Sequence, residues 1–213
     1  MNNFIGYYYR HFKRLQSRHS SFIEILLNFL LWKYPLYKNI IYCTDRIIKL
    51  PLNNDVIIRR CHDISELNDN ELSAINNYLG EKFYEQYVAL FDDGAELWLG
   101  TKAGSLAGAC WSHWHKKETD HFYVPLKATD ARILFCYVLP EHRGQSIYPK
   151  MIREISNTLI SENAGKVFID CKSWNHPSVR GIQKAGFKLY GSAWEFKIGS
   201  ARWAFMNNCP TNK

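Results

Sequence analysis

The sequence has no run of about 18 uncharged apolar residues, so a membrane-spanning helix is not expected. Its first segment, MNNFIGYYYRHFKRLQSRHSS, lacks the basic head, apolar middle and small-residue cleavage site of a secretory signal. The six cysteines, at 43, 61, 110, 136, 171 and 209, include no C-x-x-C pair. Cys110, Cys136 and Cys171 fall in strand-like runs, so they read as buried, reduced thiols rather than disulfides or metal ligands. These absences together point to the cytoplasm and to chemistry without a bound metal. Internal repeats and low-complexity segments are also absent.

Net charge is missing from most of the chain. The formal total is +7, but residues 1–50 hold eight Lys/Arg against Glu24 and Asp45. The remaining body is close to neutral, which argues against a nucleic-acid partner. The sequence therefore divides into a basic amphipathic helical arm, 1–50, and a body, 51–213. In the arm, Phe22, Leu26, Phe29, Leu30 and Lys33 recur at helical spacing, and Pro35 ends or kinks the helix. Such an arm packs on the body, pairs with a second subunit, or lies peripherally on the inner face of a membrane.

Hydrophobic residues make up 46% of the 213, enough to build a core, and aromatics reach 15%, a share that suits pockets as well. "VIIRRC" from Val56 reads as a strand, and residues 64–91 as one or two helices. "AELWLGTKAGSLAGACWSHW" reads as a hairpin turning at Lys102–Gly104. "HFYVPL" and "RILFCYVL" are further strands, 143–161 a helix, "KVFIDC" a strand, and 177–185 a short helix closed by Gly186. The tail reads as a final antiparallel pair. The expected class is α+β (mixed α/β): a mostly antiparallel sheet with one parallel β-α-β pair and helices on both faces.

Two stretches carry chemistry. In "VLPEHRGQSIY" a strand runs into a turn and then a helix start, whose unpaired amides and dipole suit a phosphate. Arg143 adds a positive charge there, and Gly144 admits close approach. In "NHPSVRGIQKAGF", Asn175 precedes a short helix and a Lys184–Phe187 exit. In order and spacing the two resemble the GNAT superfamily, the Gcn5-related acyl-CoA-dependent N-acetyltransferases, over residues 56–205. The resemblance implies acetyl-CoA, or another acyl-CoA, as co-substrate. Its pyrophosphate would lie on the amides of Arg143, Gly144, Gln145, Ser146, Ile147 and Tyr148. The pantetheine arm would pair with the strand around Cys136, Tyr137 and Val138, where an amide would polarise the thioester carbonyl. Asn175 would sit near the pantetheine or the leaving thiol; as a residue of a helix start it equally reads as an N-cap.

The sequence departs from the family pattern at three places. Ser146 stands where Gly is usual, Tyr148 where Gly or Ala is usual, and Ile182 where many members carry a proton-donating Tyr. Asn175, Ser178 and Tyr190 are the candidate substitutes. His113, with His115, Glu96 and Glu141, is a candidate base, and "HWH" lacks the third ligand of a metal site. Trp98, Trp111, Trp114 and Trp174 either pack the core or stack on a sugar. The implied reaction is direct acetyl transfer to a primary amine; Cys136 on the key strand keeps a covalent route open. The basic amphipathic arm suits a membrane-surface substrate and the aromatic hairpin a sugar, so the expected acceptor is an amino sugar, nucleotide- or lipid-linked, in envelope polysaccharide synthesis; the TDP-fucosamine acetyltransferases, with an N-terminal extension, are a similar case. Protein, peptide or aminoglycoside acetylation, and a non-catalytic acyl-CoA-binding or membrane-associated module, are the alternatives.

Overall fold

A computed structural model describes residues 36–49, 55–115, 119–121, 124–198 and 201–207. The strands are β1 (Leu36–Thr44), β2 (Val56–Cys61), β3 (Ala95–Lys102), β4 (Ser105–Trp114), β5 (Thr119–His121), β6 (Val124–Leu126), β7 (Ala131–Val138), β8 (Val167–Lys172), β9 (Lys188–Ile198) and β10 (Ala201–Asn207). The helices are α1 (Asp69–Leu79), α2 (Phe83–Asp92), α3 (Ile147–Ser161) and α4 (His176–Ala185). One eight-stranded sheet runs β10-β9-β1-β8-β7-β4-β3-β2, and β5 pairs only with β6. Every neighbour in the large sheet is antiparallel except β7 and β8. The expected hairpin, β-α-β unit and terminal strand pair are all present.

One boundary differs from the sequence reading. Residues 36–44, grouped with the basic arm by charge, form β1 inside the sheet, paired to β8 on one side and β9 on the other. Charge marks surface, whereas "IIYC" after Pro35 is β-branched and aromatic, a composition that favours a half-buried strand. Ile41 and Tyr42 are buried accordingly. The helix expected over 22–33 lies outside the described residues, and so do its expected contacts.

The two faces of the sheet carry separate cores. On one face α3 buries Met151, Ile152, Ile155 and Leu159 against Cys110, Ile133, Val167 and Ile169. On the other, α1 and α2 place Ile75, Phe83 and Tyr87 on Leu97, Leu99 and Trp111. Helix α1 begins at a capping box in which Asn68 and Glu71 satisfy each other's backbone amides. Leu97 is fully buried in the second core. Leu97→Ala is expected to cost about 2–5 kcal/mol in chemical denaturation, because the site can collapse only partly. A loss below about 1 kcal/mol would mean that this face is loosely packed.

Candidate active site

The site begins where β7 and β8 part. They pair only at Ala131–Val167, Arg132–Phe168 and Ile133–Ile169. Beyond that β7 carries an extra residue: Ala109 pairs with Tyr137, but Trp111 pairs with Leu134. Phe135 takes a positive φ of 47° and stands 67% exposed. The bulge puts Leu134 and Tyr137 together in the α1/α2 core and turns Cys136 and Val138 to the α3 side. Bulges bend a strand and interrupt its ladder, so β7 swings from β8 and the sheet opens as a V.

At the mouth of the V lies a cleft of about 510 Å³. Cys136, Tyr137 and Val138 form one wall, Arg143, Gly144, Ser146, Ile147 and Tyr148 its end, and Asn175, Ser178 and Gly181 the other wall. The turn works through two left-handed residues, Gly144 (φ 77°) and Ser146 (φ 60°). They curl the chain so that α3 starts with its first-turn amides at the cleft, a ready anion site. Ser146 keeps the conformation that glycine adopts without strain. Its hydroxyl accepts a hydrogen bond from Lys184 Nζ at 2.7 Å, which ties the turn to the end of α4. Gln145, a predicted contact, does not line the cleft; its Oε1 accepts from Lys102 Nζ and its Nε2 donates to the Glu141 carbonyl.

Tyr148 is the least expected part. Its ring fits against Gly181, where an added Cβ would lie 2.4 Å from Tyr148 Cδ1. Its hydroxyl is 3.1 Å from Ser178 Oγ, and both residues face the cleft. Burial pushes the phenol well above its ordinary pKa. The Ser178 amide donates to Asn175 Oδ1 at 3.3 Å, so Asn175 caps α4 and lines the cleft as well. Ile182 is fully buried in the core.

Arg143 is held by two hydrogen bonds. Its Nε donates to the Val138 carbonyl at 3.1 Å and its Nη2 to Tyr78 Oη at 3.1 Å. Tyr78 stacks on Tyr137 with ring centres 5.0 Å apart, and Tyr137 Oη lies 3.0 Å from Tyr87 Oη. This chain of contacts runs from the turn to a second cavity of about 800 Å³ under α1 and α2. A third, of about 340 Å³, opens on the floor of the V. Its ion pairs are Arg132–Asp170 and Lys172–Glu195, and Glu195 also accepts from Asn39 Nδ2 at 3.2 Å. Cys136 lines all three cavities. The sequence reading missed Tyr78 and the carboxylates Asp170 and Glu195. Alternation within "KVFIDCK" places Asp170 and Lys172 on one face of β8, but nothing local says that β8 borders a gap.

The other candidates lie apart. Tyr190 packs edge-on against Phe168 at 5.0 Å and lines none of the three cavities. His113 Nε2 is 3.0 Å from the Asp93 carbonyl, at the rim of the second cavity. Glu96 is engaged by Arg60 and by the Ser112 hydroxyl, and Trp98 donates to Ser112 Oγ at 2.8 Å within the core. Glu141 belongs to the short 3-10 turn before Arg143. Trp111 lines the second cavity, Trp114 packs on the core, and Trp174 is 64% exposed. Among the described residues no group of three or more His, Cys, Asp or Glu is placed to hold a metal, and no helix is long and apolar enough to cross a membrane.

His115 supplies a pH test of the fold. Burial lowers its pKa, and the neighbouring charges of His113 and Arg132 lower it further. The folded state thus prefers the neutral ring. The stability this confers is complete above the unfolded value of about 6.5 and is lost as pH falls through the depressed folded value. Unfolding midpoints should drop between about pH 7 and pH 5, and His115→Gln should flatten that slope; an unchanged slope would assign it to other groups.

The site is thus a sheet opened by a bulge beside a helix start whose first-turn amides face a cleft. The chain belongs to the acetyltransferase (GNAT) family, which it matches over residues 62–187. Its fold is similar to that of a GNAT acetyltransferase from Colwellia psychrerythraea, with a TM-score of 0.55 at 13% identity, over 84% of this chain and 61% of that one. A GCN5-related N-acetyltransferase from Kribbella flavida gives a TM-score of 0.49 at 10% identity, over 83% and 63%. The chain thus spans less than two thirds of the length of either. No curated protein matches the sequence.

Proposed function

We propose that this protein transfers the acetyl group of acetyl-CoA to a primary amine on a small molecule. The observation that carries this is the V between β7 and β8, opening directly onto the anion-binding turn at Arg143–Tyr148. Acetyl-CoA would supply the activated acyl group. The amides of the turn and the Arg143 guanidinium would hold its pyrophosphate, and the β7 backbone near Val138 would orient the thioester and polarise its carbonyl.

The amine nitrogen attacks the carbonyl carbon and forms the C–N bond; the C–S bond then breaks and the sulfur leaves with its electron pair. The nitrogen's proton passes, through water, to a carboxylate on the floor of the V. Asp170 is our candidate, since it follows directly on Ile169, the last residue of β8 paired with β7. The Tyr148 hydroxyl, with Ser178, is our candidate donor to the departing sulfur. A thiol pKa near 8.5 means the thiolate needs stabilisation more than full protonation. The products are an amide and CoA thiol, with atoms balanced.

An amino-sugar acceptor is a second reading, favoured by the aromatic rings of Tyr78 and Tyr137 between the cleft and the second cavity. Envelope glycan synthesis, membrane contact and dimerisation through the N-terminal residues belong to that reading. The discriminating experiment is release of CoA thiol from acetyl-CoA over a panel of primary amines, read with a thiol reagent. Amine-dependent release supports catalysis. Tight acetyl-CoA binding with no release from any amine would make the protein a non-catalytic acyl-CoA-binding module. Tyr148→Phe is expected to lower turnover about 10- to 100-fold with little change in acetyl-CoA affinity, at the lower end of general acid contributions. Unchanged turnover would remove Tyr148 from the chemistry.

A further inference from the structure

The second cavity has a composition that selects its occupant. Among the described residues its walls are Tyr87, Leu90, Trp111, Phe135 and Tyr137, with Tyr78 at the boundary to the cofactor cleft. Gln86, Asp93 and the hydroxyls of Tyr78, Tyr87 and Tyr137 are its polar groups, and no Lys or Arg among the described residues lines it. At about 800 Å³ it is within the range of small-molecule sites. A phosphate or carboxylate on the ligand would find no Lys or Arg counter-charge among the described lining residues. A polycation would find one acid, Asp93, whose side chain is largely exposed at the rim. Unpaired charge moved into such a place costs more than apolar contact returns.

Phe135 adds a second and independent observation. An aromatic residue at positive φ is strained, and such strain persists where the surroundings impose it, often at binding sites. Phe135 lines both the aromatic cavity and the polar floor of the V. It therefore stands between the two compartments, and Cys136 also lines both. On the floor beyond, Arg132 is paired with Asp170 and Lys172 with Glu195, so that compartment is charge-balanced.

We propose, resting on the acyl-transfer reading above, that the acceptor is a primary amine carried on an uncharged, ring-bearing apolar body. The body occupies the aromatic cavity, and the amine reaches past Phe135 to the V. Sugars bearing phosphate, and polycationic amines, are discriminated against by a described lining without Lys or Arg and with Asp93 as its one acid.

The test is calorimetric titration of the full chain with 2-phenylethylamine, glucosamine, glucosamine 1-phosphate and tobramycin, each without and with acetyl-CoA, followed by thiol release on the same panel. 2-Phenylethylamine should bind most tightly and be turned over with the highest kcat/KM. Ala89→Trp, at an exposed position of α2 on the cavity wall, should weaken its binding by about tenfold or more, the scale of lost apolar complementarity. The same variant should leave acetyl-CoA affinity unchanged. Tighter binding of either sugar or of tobramycin would overturn the proposal, as would unaltered 2-phenylethylamine binding in Ala89→Trp. Binding of 2-phenylethylamine without thiol release would support the cavity assignment and count against acetyl transfer, so the two readings fail separately.

Discussion

Replacing Gly181 by alanine is expected to destabilise the protein by about 1–3 kcal/mol and to abolish most of its turnover, although alanine is the better helix former. At an ordinary helix position the exchange would gain about 0.8–1.0 kcal/mol. Here the new methyl would stand 2.4 Å from Tyr148 Cδ1 and 2.7 Å from Cε1, closer than real Cβ contacts allow. Tyr148 has little freedom to retreat. It follows directly on fully buried Ile147 at the start of α3, and its hydroxyl is fastened to Ser178, one turn before Gly181 on the same helix. Overpacking should therefore exceed the propensity gain. Either the ring leaves the cleft or α4 moves away from α3, and both displace Ser178 and Asn175. Thermal unfolding of Gly181→Ala, Tyr148→Ala and the double variant checks this: the double variant should lose clearly less than the sum of the two single losses, and should be at least as stable as Tyr148→Ala, while remaining poorly active. Additive losses in the cycle would show that the two positions do not meet.

Arg143→Ala is expected to weaken acetyl-CoA binding by about 10- to 150-fold, the equivalent of one charge-assisted hydrogen bond at about 1.5–3 kcal/mol. Fold stability should change little, since Arg143 is exposed. The sign of the effect depends on the ligand. Arg143 donates to the Val138 carbonyl and to Tyr78, so an acyl-pantetheine chain along β7 would compete with it. S-acetylpantetheine lacks the pyrophosphate; its affinity should be unchanged or improved in the variant, because the Val138 carbonyl is released. Titrating both ligands separates the roles. Equal loss for the two would show that Arg143 acts on the strand and not on the pyrophosphate.

The same contacts join the two ends of the site. Tyr78 receives Arg143 on one side and stacks on Tyr137, which borders the aromatic cavity.

Much of this was legible in the residues. Patterning in "RILFCYVL" and "KVFIDC", with α3 between them, required a parallel pair, since such a unit closes in one hand. The turn was legible because Pro140, Gly144 and the helix start are local signals, and Asn175 could be read as an N-cap because capping is local too. Charge, by contrast, misplaced the start of the sheet: the basic count reached past Pro35 into residues that become β1. Pairing partners more than 100 residues away are decided by burial, which no short window contains.

The sequence by itself determined the elements, the turn into α3 and the unusual residues Ser146, Tyr148 and Ile182, because these signals lie within a few residues of one another. The tertiary structure alone decided what those departures mean. The bulge at Phe135 exists only in the pairing of β7 with β4, and it opens the V. Tyr148 reaches the cleft only because Gly181, on another helix, leaves room for its ring. Asp170, Lys172 and Glu195 become the floor of a site only because β7 turns away from β8 and leaves them uncovered. Contacts of this kind join residues tens of positions apart, and their geometry is fixed by packing rather than by local preference.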